Sequence, residues 1–496
     1  MARRVGSGLI WGQIGRLADL ALGLALSLLI VRLLGPERYA AYAVVLSVVG
    51  FAGLIGSLGY GEALARYLPE LAASDAGGVT GLLRRLTGER LVVTLIAGIL
   101  VWLAAPVIAG WARTPDVARY AGLIAALIVA QGLWELLQNY FTAALRLRAF
   151  ALIRMAGQIA GIGIALTLFA VAGIEVWVPL VALIANYVLT GGLFLGGVVP
   201  ALRGPARRAD LAAARRFGRY VWLTNLATLG LAGQVDVLLI AALLPDPAQA
   251  GFYNAAVLLL GRLYSVLTGW TAVLVPAAAA ARARQGVSGL ARSYALYLKL
   301  SLLTLVPPLI FTGVWAEAIA LTLFGGEYAA VAPLIVLYAA FNLASALAGA
   351  IISQPLLQVA ERQRTLLWLR VGAGGLNVLL DILLIPRLGA AGAVVATGAA
   401  NLTVHLIEWV LLQRLTGAGY PAAVALKLTG ASLVAALPAL GLPRDGWPGL
   451  IAGGAAFVLL LAAALWWLRL LSAEDRSVIE TALPRLAPIV RRLART

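Results

Sequence analysis

The sequence predicts an all-α protein that crosses a membrane about fourteen times. Three observations carry that expectation. Of the 496 residues, 62% are hydrophobic and 12% charged, whereas a soluble domain carries about 25% charged residues. Apolar runs of about 20 residues, the length that crosses roughly 30 Å of hydrocarbon, recur from end to end. The segments between them are short and basic, with no stretch of soluble-domain composition.

The spans are expected at 7–34, 38–64, 89–112, 117–144, 150–172, 176–200, 216–243, 249–279, 293–323, 329–357, 364–386, 390–413, 422–441 and 447–470. The first run is too long for a signal peptide and contains Arg16 and Asp19, so it reads as a retained span. An even count puts both termini on one side. The loops on that side hold most of the 38 Lys and Arg, and the loop before the seventh span alone holds Arg203, Arg207, Arg208, Arg215, Arg216 and Arg219. The opposite loops are short and hold few: Arg38, Arg113, Arg119, Arg387 and Arg444. Basic loops stay inside, so both termini are expected in the cytoplasm. The formal charge of +17 is therefore an orientation signal rather than a nucleic-acid footprint. The tail 472–496 mixes apolar residues with Arg485, Arg491, Arg492 and Arg495, the pattern of a basic amphipathic helix on the membrane surface.

Composition also removes function classes. There is no cysteine, so disulfides, thiolate metal sites and cysteine nucleophiles are excluded. His405 is the single histidine, which argues against a histidine-built metal site. The Walker A, GxGxxG and H-E-x-x-H patterns are missing, so no nucleotide-driven or zinc-hydrolase chemistry is expected on this chain. A membrane glycosyltransferase, ligase or polymerase needs a substantial outer loop or soluble domain for its catalytic groups, and every outer loop here is short. The expectation is a transporter, not an enzyme.

The two halves echo each other. Leu34-Gly35-Pro36-Glu37-Arg38-Tyr39-Ala40-Ala41-Tyr42 joins the first two spans, and a proline turn followed by Ala250-Gly251-Phe252-Tyr253 joins the seventh and eighth. Tyr42 and Tyr253 match at an offset of 211, Arg154 and Arg370 at 216, and Gly173 and Gly389 at 216. Spans one to six thus resemble spans seven to twelve, and the last two are additions. Repeated helical bundles are a common plan for secondary transporters, with the substrate between the halves.

Polar groups inside the spans need a reason, because a charge at mid-bilayer costs about 2.5–3.5 kcal/mol on insertion scales. Gln13, Arg16 and Asp19 form one stripe at spacing three in the first span, and Arg262 lies about halfway along the eighth. Further stripes are Gln131, Glu135, Gln138 and Asn139; Asn225, Thr228 and Asp236; Gly374, Asn377 and Asp381; and Thr397, Asn401, His405 and Glu408. Desolvation favours the protonated or cation-bound form of a carboxylate. Asp236, Asp381, Glu135 and Glu408 are therefore candidates for coupling to H+ or Na+, with His405 one turn from Glu408 as a relay. The competing readings are interhelical hydrogen bonding for the carboxylates, an Arg16–Asp19 pair, and snorkelling of Arg262 to the interface.

Three stretches together resemble a known family. They are Leu34–Tyr39 through Gly59-Tyr60-Gly61-Glu62-Ala63-Leu64-Ala65-Arg66-Tyr67; then Asp236, Ala250-Gly251-Phe252-Tyr253 and a Pro276 that closes the eighth span; then Phe324-Gly325-Gly326-Glu327-Tyr328, Asn377, Asp381, Pro386, Gly389 and Gly392-Ala393. The chain resembles, over nearly its whole length, the bacterial oligosaccharide flippase and polysaccharide-export family (Wzx type). That family lies in the multidrug/oligosaccharidyl-lipid/polysaccharide (MOP) superfamily. Ala40 departs from the pattern, where glycine is frequent. The resemblance implies two six-helix lobes around a central cavity, 1–200 and 201–415, then helices thirteen and fourteen in 416–471 and the tail. It implies flipping of a polyprenyl-diphosphate-linked oligosaccharide across the bacterial inner membrane by alternating access, for surface polysaccharide such as O-antigen. It places helices one and eight at the lobe interface, so that Arg16 and Arg262, with Gln13, Asp19 and Asn225, would meet substrate. A planar guanidinium suits a diphosphate. No resident cofactor is implied; the partners are the glycolipid, membrane lipids, a polysaccharide polymerase and other assembly proteins. A lipid II-type flippase and a cation-coupled multidrug exporter of the same superfamily are the nearest alternatives.

Overall fold

The computed structural model describes residues 2–74, 76–205, 211–231, 233–439, 441–442 and 446–468, and their regular structure is helical throughout. Helix is the form in which an apolar segment satisfies its own backbone polar groups in hydrocarbon. The expected tail helix at 472–496 lies outside the described residues.

The opening helix α1 (Ala2–Ile55) carries the first two expected spans in one run, broken at Gly35 with φ 69° and ψ 172°. A Cβ is disfavoured at that φ, and Pro36 follows where a helix start needs no N–H. A turn over residues 56–59 leads to α2 (Tyr60–Ser74), followed by α3 (Ala76–Trp111), the short α4 (Asp116–Arg119), α5 (Ala121–Ala143), α6 (Leu147–Ala172) and α7 (Trp177–Arg203). The seventh expected span is broken. Its halves α8 (Leu211–Ala227) and α9 (Gly233–Leu243) are bent by 42° about a 3-10 turn at Leu229–Leu231. Next come α10 (Ala248–Leu267), a 3-10 turn at Gly269–Val273, and α11 (Leu274–Val314), which kinks at Gly286. The chain ends in α12 (Ala316–Phe324), α13 (Val331–Leu347), α14 (Ala350–Val359), α15 (Gln363–Leu388), α16 (Ala390–Thr416), α17 (Ala422–Ala439) and α18 (Gly446–Leu468).

The helices leave the expected count of spans unconfirmed and correct two other expectations. Among the described residues, eleven helices are long and apolar enough to cross a membrane, or twelve if the bent pair is one span, against about fourteen expected. Two expected spans share α1, the seventh is the bent pair, and α17 is short. Pro276 does not close the eighth span but stands in the first turn of α11, which runs through the loop expected at 280–292. Finally, the break after α8 prevents Asn225, Thr228 and Asp236 from sharing one helical face.

The chain forms two compact units, residues 1–255 with 381–390, and 256–380 with the residues from 391 on. The first is packed around Leu64, Leu86, Leu136, Phe141 and Phe194. The second is packed around Tyr294, Leu302, Leu356, Leu428 and Phe457. The outward sides of α3 and α18 remain apolar, with Leu100, Leu103, Val107, Leu459 and Trp467 all more than half exposed. Contiguous apolar surface of that kind suits lipid and not water. The protein is a multi-pass membrane protein.

The repeat is visible in the bonding. Arg154 donates to Gln138 Oε1 at 3.4 Å, and Arg370 donates to Gln354 Oε1 at 3.1 Å. Each residue of the second pair stands 216 positions after its counterpart. Gly173 and Gly389 both take positive φ, 82° and 63°. The residues after them are tied alike: Arg38 donates to the Ile174 carbonyl, and the Ala390 N–H donates to Gln249 Oε1 at 3.1 Å. Arg38 and Gln249 stand 211 apart, the offset already seen for Tyr42 and Tyr253.

Candidate functional site

In the first unit the polar groups of α1, α3, α5 and α6 form two part-buried ionic clusters. Asp19 on α1 accepts from Arg154 at 2.5 Å and from Gln158 at 3.1 Å, both on α6. The two helices approach closely at Gly15, where a Cβ would come within 2.4 Å of the Ala151 Cβ. The Arg154 guanidinium also lies 4.9 Å over the Trp134 ring, a cation–π contact. Asp19 is thus held by α6. The side chains of Gln13 and Arg16 lie outside the described residues.

The second cluster centres on Arg90, whose side chain is 4% exposed. It donates to Glu135 at 3.0 Å, to the Gly132 carbonyl at 3.1 Å and to the Gly56 carbonyl at 2.5 Å. Three acceptors in three directions match the guanidinium fork and fix the broken end of α1 against α3 and α5. Gln131 completes Glu135 at 2.9 Å. Beside this cluster lies a cavity of about 220 Å³ that Tyr60, Glu62, Glu135 and Asn139 help to line. Asn225 donates to Glu62 at 3.2 Å.

A third arrangement joins Asp236 on α9 with Asp381 on α15. Both are fully buried, and the two carboxyls are hydrogen-bonded to each other. The Tyr253 hydroxyl also donates to Asp236. This juxtaposition comes from residues 145 positions apart, and the sequence pattern singles out both without pairing them.

The second unit carries an open-mouthed cavity of about 400 Å³, lined by parts of α10, α13, α14, α15 and α16. Arg370 at its wall donates to Glu408 at 2.8 Å and to Gln354 at 3.1 Å, and the Glu408 side chain is 0% exposed. His405 lines the same cavity, and its Nδ1 is buried without a hydrogen-bond partner among the described residues. Glu408 therefore answers to Arg370 and not to His405. Arg262 stands half-buried on α10 with no hydrogen bond or ion pair among the described residues.

Sequence reasoning named the carboxylates but missed their partners, Arg90, Arg154 and Arg370. The signal for the last two was present in the repeat offset, which marks positions that both halves retain. For Arg90 the signal was an arginine at the edge of a long apolar run.

Residues 29–333 match the family model described as polysaccharide biosynthesis protein. The chain belongs to that family. Solved structures share its fold. The lipid II flippase MurJ in an inward closed conformation matches with a TM-score of 0.69 at 14% identity, over 92% of this chain and 98% of that one. An inward-facing multidrug resistance MATE family transporter of the MOP superfamily matches with a TM-score of 0.63 at 16% identity, over 81% and 95%. A MOP superfamily transporter from Pyrococcus furiosus matches with a TM-score of 0.52 at 15% identity, over 83% and 93%. No curated protein sequence matches the chain. This member of the polysaccharide biosynthesis family therefore has the MOP transporter fold, and its solved neighbours are transporters and flippases, not catalysts.

Proposed function

We propose that the chain is a flippase that carries a polyprenyl-diphosphate-linked oligosaccharide from the inner to the outer leaflet of a bacterial inner membrane by alternating access. The observation that carries this reading is a polysaccharide biosynthesis family match laid on the fold of a lipid II flippase. The family supplies the glycan and the flippase neighbour supplies the lipid-linked carrier. Loop charge supports cytoplasmic termini. A polymerase and other assembly proteins are the natural recipients of the product.

Arg262 supports a diphosphate contact, because it is a permanent cation in an apolar helix with no carboxylate assigned to it. Arg16 and Gln13 are the proposed contacts from α1. Asp19 and Asn225, already bonded to Arg154 and Glu62, position their helices beside them. The fully buried Asp236–Asp381 pair is the proposed coupling element, a place where H+ or Na+ would exchange. Glu135 and Glu408 are each held by an arginine, which suits a structural role better than an exchanging one.

The test is binding of the purified protein to a polyprenyl-diphosphate oligosaccharide and to a cationic dye, in wild type and Arg262→Ala. A charge-assisted hydrogen bond is worth about 1.5–3 kcal/mol, so the variant should bind the glycolipid about 10- to 100-fold more weakly. Undiminished binding removes the arginine contact. Dye binding without glycolipid binding replaces the flippase reading with a multidrug exporter.

A further inference from the structure

We propose that the cavity inside the second unit is a carbohydrate subsite that takes an uncharged mono- or disaccharide portion of the glycan; this rests on the flippase reading. The volume of about 400 Å³ falls within the roughly 300–1,000 Å³ of small-molecule pockets. Its walls carry the two kinds of group that a pyranose needs. Tyr264, Tyr338 and Phe341 offer ring faces for the C–H side of the sugar, and Asn342 and Asn401 offer amides for its hydroxyls. Each amide donates its own N–H to the carbonyl one turn back, at 2.8 Å and 3.0 Å. The side-chain oxygens are left to accept from a ligand.

Charge selects the class of sugar. Arg370 is neutralised by Glu408 at 2.8 Å, so with a neutral imidazole at His405 this wall carries no net charge for a phosphate or a uronic acid. His405 Nδ1 and Arg370 Nε are buried without partners among the described residues, and such groups are costly unless something bonds them. The backbone is interrupted here as well. α13 and α14 are separated at Gly349, which takes φ 76°, and α10 gives way to the 3-10 turn at Gly269–Val273. Broken helices at membrane depth are tolerated where they line a polar cavity and are characteristic of transporter binding sites.

The repeat provides an internal control. Thr397, Asn401, His405 and Glu408 lie along α16, and the positions 216 earlier, along α7, are Val181, Ala185, Leu189 and Gly192. Both halves keep the same Arg–Gln tie and the same glycine before the helix. The polar groups that α7 does bury, Asn186 and Thr190, sit against Gly157 of α6, so side chains that face a cavity at Thr397, Asn401 and His405 are particular to the second half and answer to a ligand.

The experiment transplants the first-half residues as Thr397→Val/Asn401→Ala/His405→Leu and measures thermal stabilisation of the purified full chain. The probes are N-acetylglucosamine, galactose, glucuronate and inorganic pyrophosphate. A neutral sugar should stabilise the wild type, with apparent affinity at least about tenfold weaker in the variant. Glucuronate and pyrophosphate should show no effect that depends on these residues. Asn401→Ala alone, and a photoactivatable N-acetylglucosamine mapped to α13 and α16 by mass spectrometry, test the same cavity if the triple variant does not fold. Failure of both neutral sugars to act on the wild type, or an equal effect in the variants, overturns the subsite. Glycolipid binding by the wild type separates the two claims: if it persists without a sugar effect, the subsite fails and the flippase reading stands. If it is absent while the sugar effect remains, the flippase reading fails.

Discussion

The Arg370–Glu408 pair gives the sharpest energetic prediction. The Glu408 side chain is 0% exposed and that of Arg370 15%, so solvent screens neither appreciably. Arg370→Met keeps most of the side-chain volume and removes two hydrogen bonds, to Glu408 and to Gln354. The two bonds are the smaller loss, since polar contacts between membrane helices average about 0.6 kcal/mol. The uncompensated buried carboxylate dominates, and breaking a buried pair from one side costs about 3–5 kcal/mol. Removing both charges should recover most of that loss. Arg370→Met/Glu408→Gln is therefore expected to lie within about 1–2 kcal/mol of wild type, recovering roughly 2–3 kcal/mol of the loss in Arg370→Met. The assay is reversible unfolding of the four proteins of the cycle in bicelles, followed by circular dichroism. Equal instability of the single and double variants would refute the reasoning, because the cost would then lie in packing rather than in charge.

Two other predictions use the same unfolding measurement. A Cβ on Gly453 would come within 2.0 Å of the buried Trp315 ring, and one on Gly251 within 2.5 Å of the Pro36 carbonyl. Each Gly→Ala change should cost about 1–3 kcal/mol, whereas Gly163→Ala, with nothing within 4 Å, should be neutral or slightly stabilising. Arg90→Lys keeps the charge but cannot serve Glu135 and two carbonyls in separate directions, so it should lose about 1–3 kcal/mol; a stability equal to wild type would show that the fork is not needed.

The helical class, the membrane location and the repeat were legible in the sequence because each rests on a property that any window displays: apolar length, loop charge, or a recurring offset. Breaks were less legible. Gly35-Pro36 announces itself, but nothing between Asn225 and Asp236 except Gly230 and Gly233 hints that the seventh span bends. Contacts from outside the span hold its first half, where Trp222 donates to the carbonyls of Leu54 and Ile55. Partners were least legible. The pairing of Asp236 with Asp381 depends on how distant helices cross, which no local pattern encodes. Helices and spans do not count alike for a related reason: at α1 the chain turns at a single glycine and stays helical on both sides, so two expected spans have no loop between them.

Comparison within the repeat separates scaffold from function among the intramembrane charges. Both halves retain a glutamine-to-arginine tie, Gln138 with Arg154 and Gln354 with Arg370, and in both the arginine takes a carboxylate. The carboxylate, however, comes from different places. Asp19 enters from α1, whereas Glu408 enters from α16, whose counterpart position on α7 is Gly192. An arginine kept in both halves with exchanged counter-ions behaves as a structural post: the fold needs its charge neutralised, and either neighbouring helix can do it. What differs between the halves is free of that constraint. On α16 the differences are concentrated in polar side chains that line a cavity, against apolar residues at the matching positions of α7, whose own Asn186 and Thr190 are buried at Gly157 of α6. Retention marks the scaffold here and divergence marks the chemistry, so the residues to vary first are Thr397, Asn401 and His405 rather than the arginines the halves share.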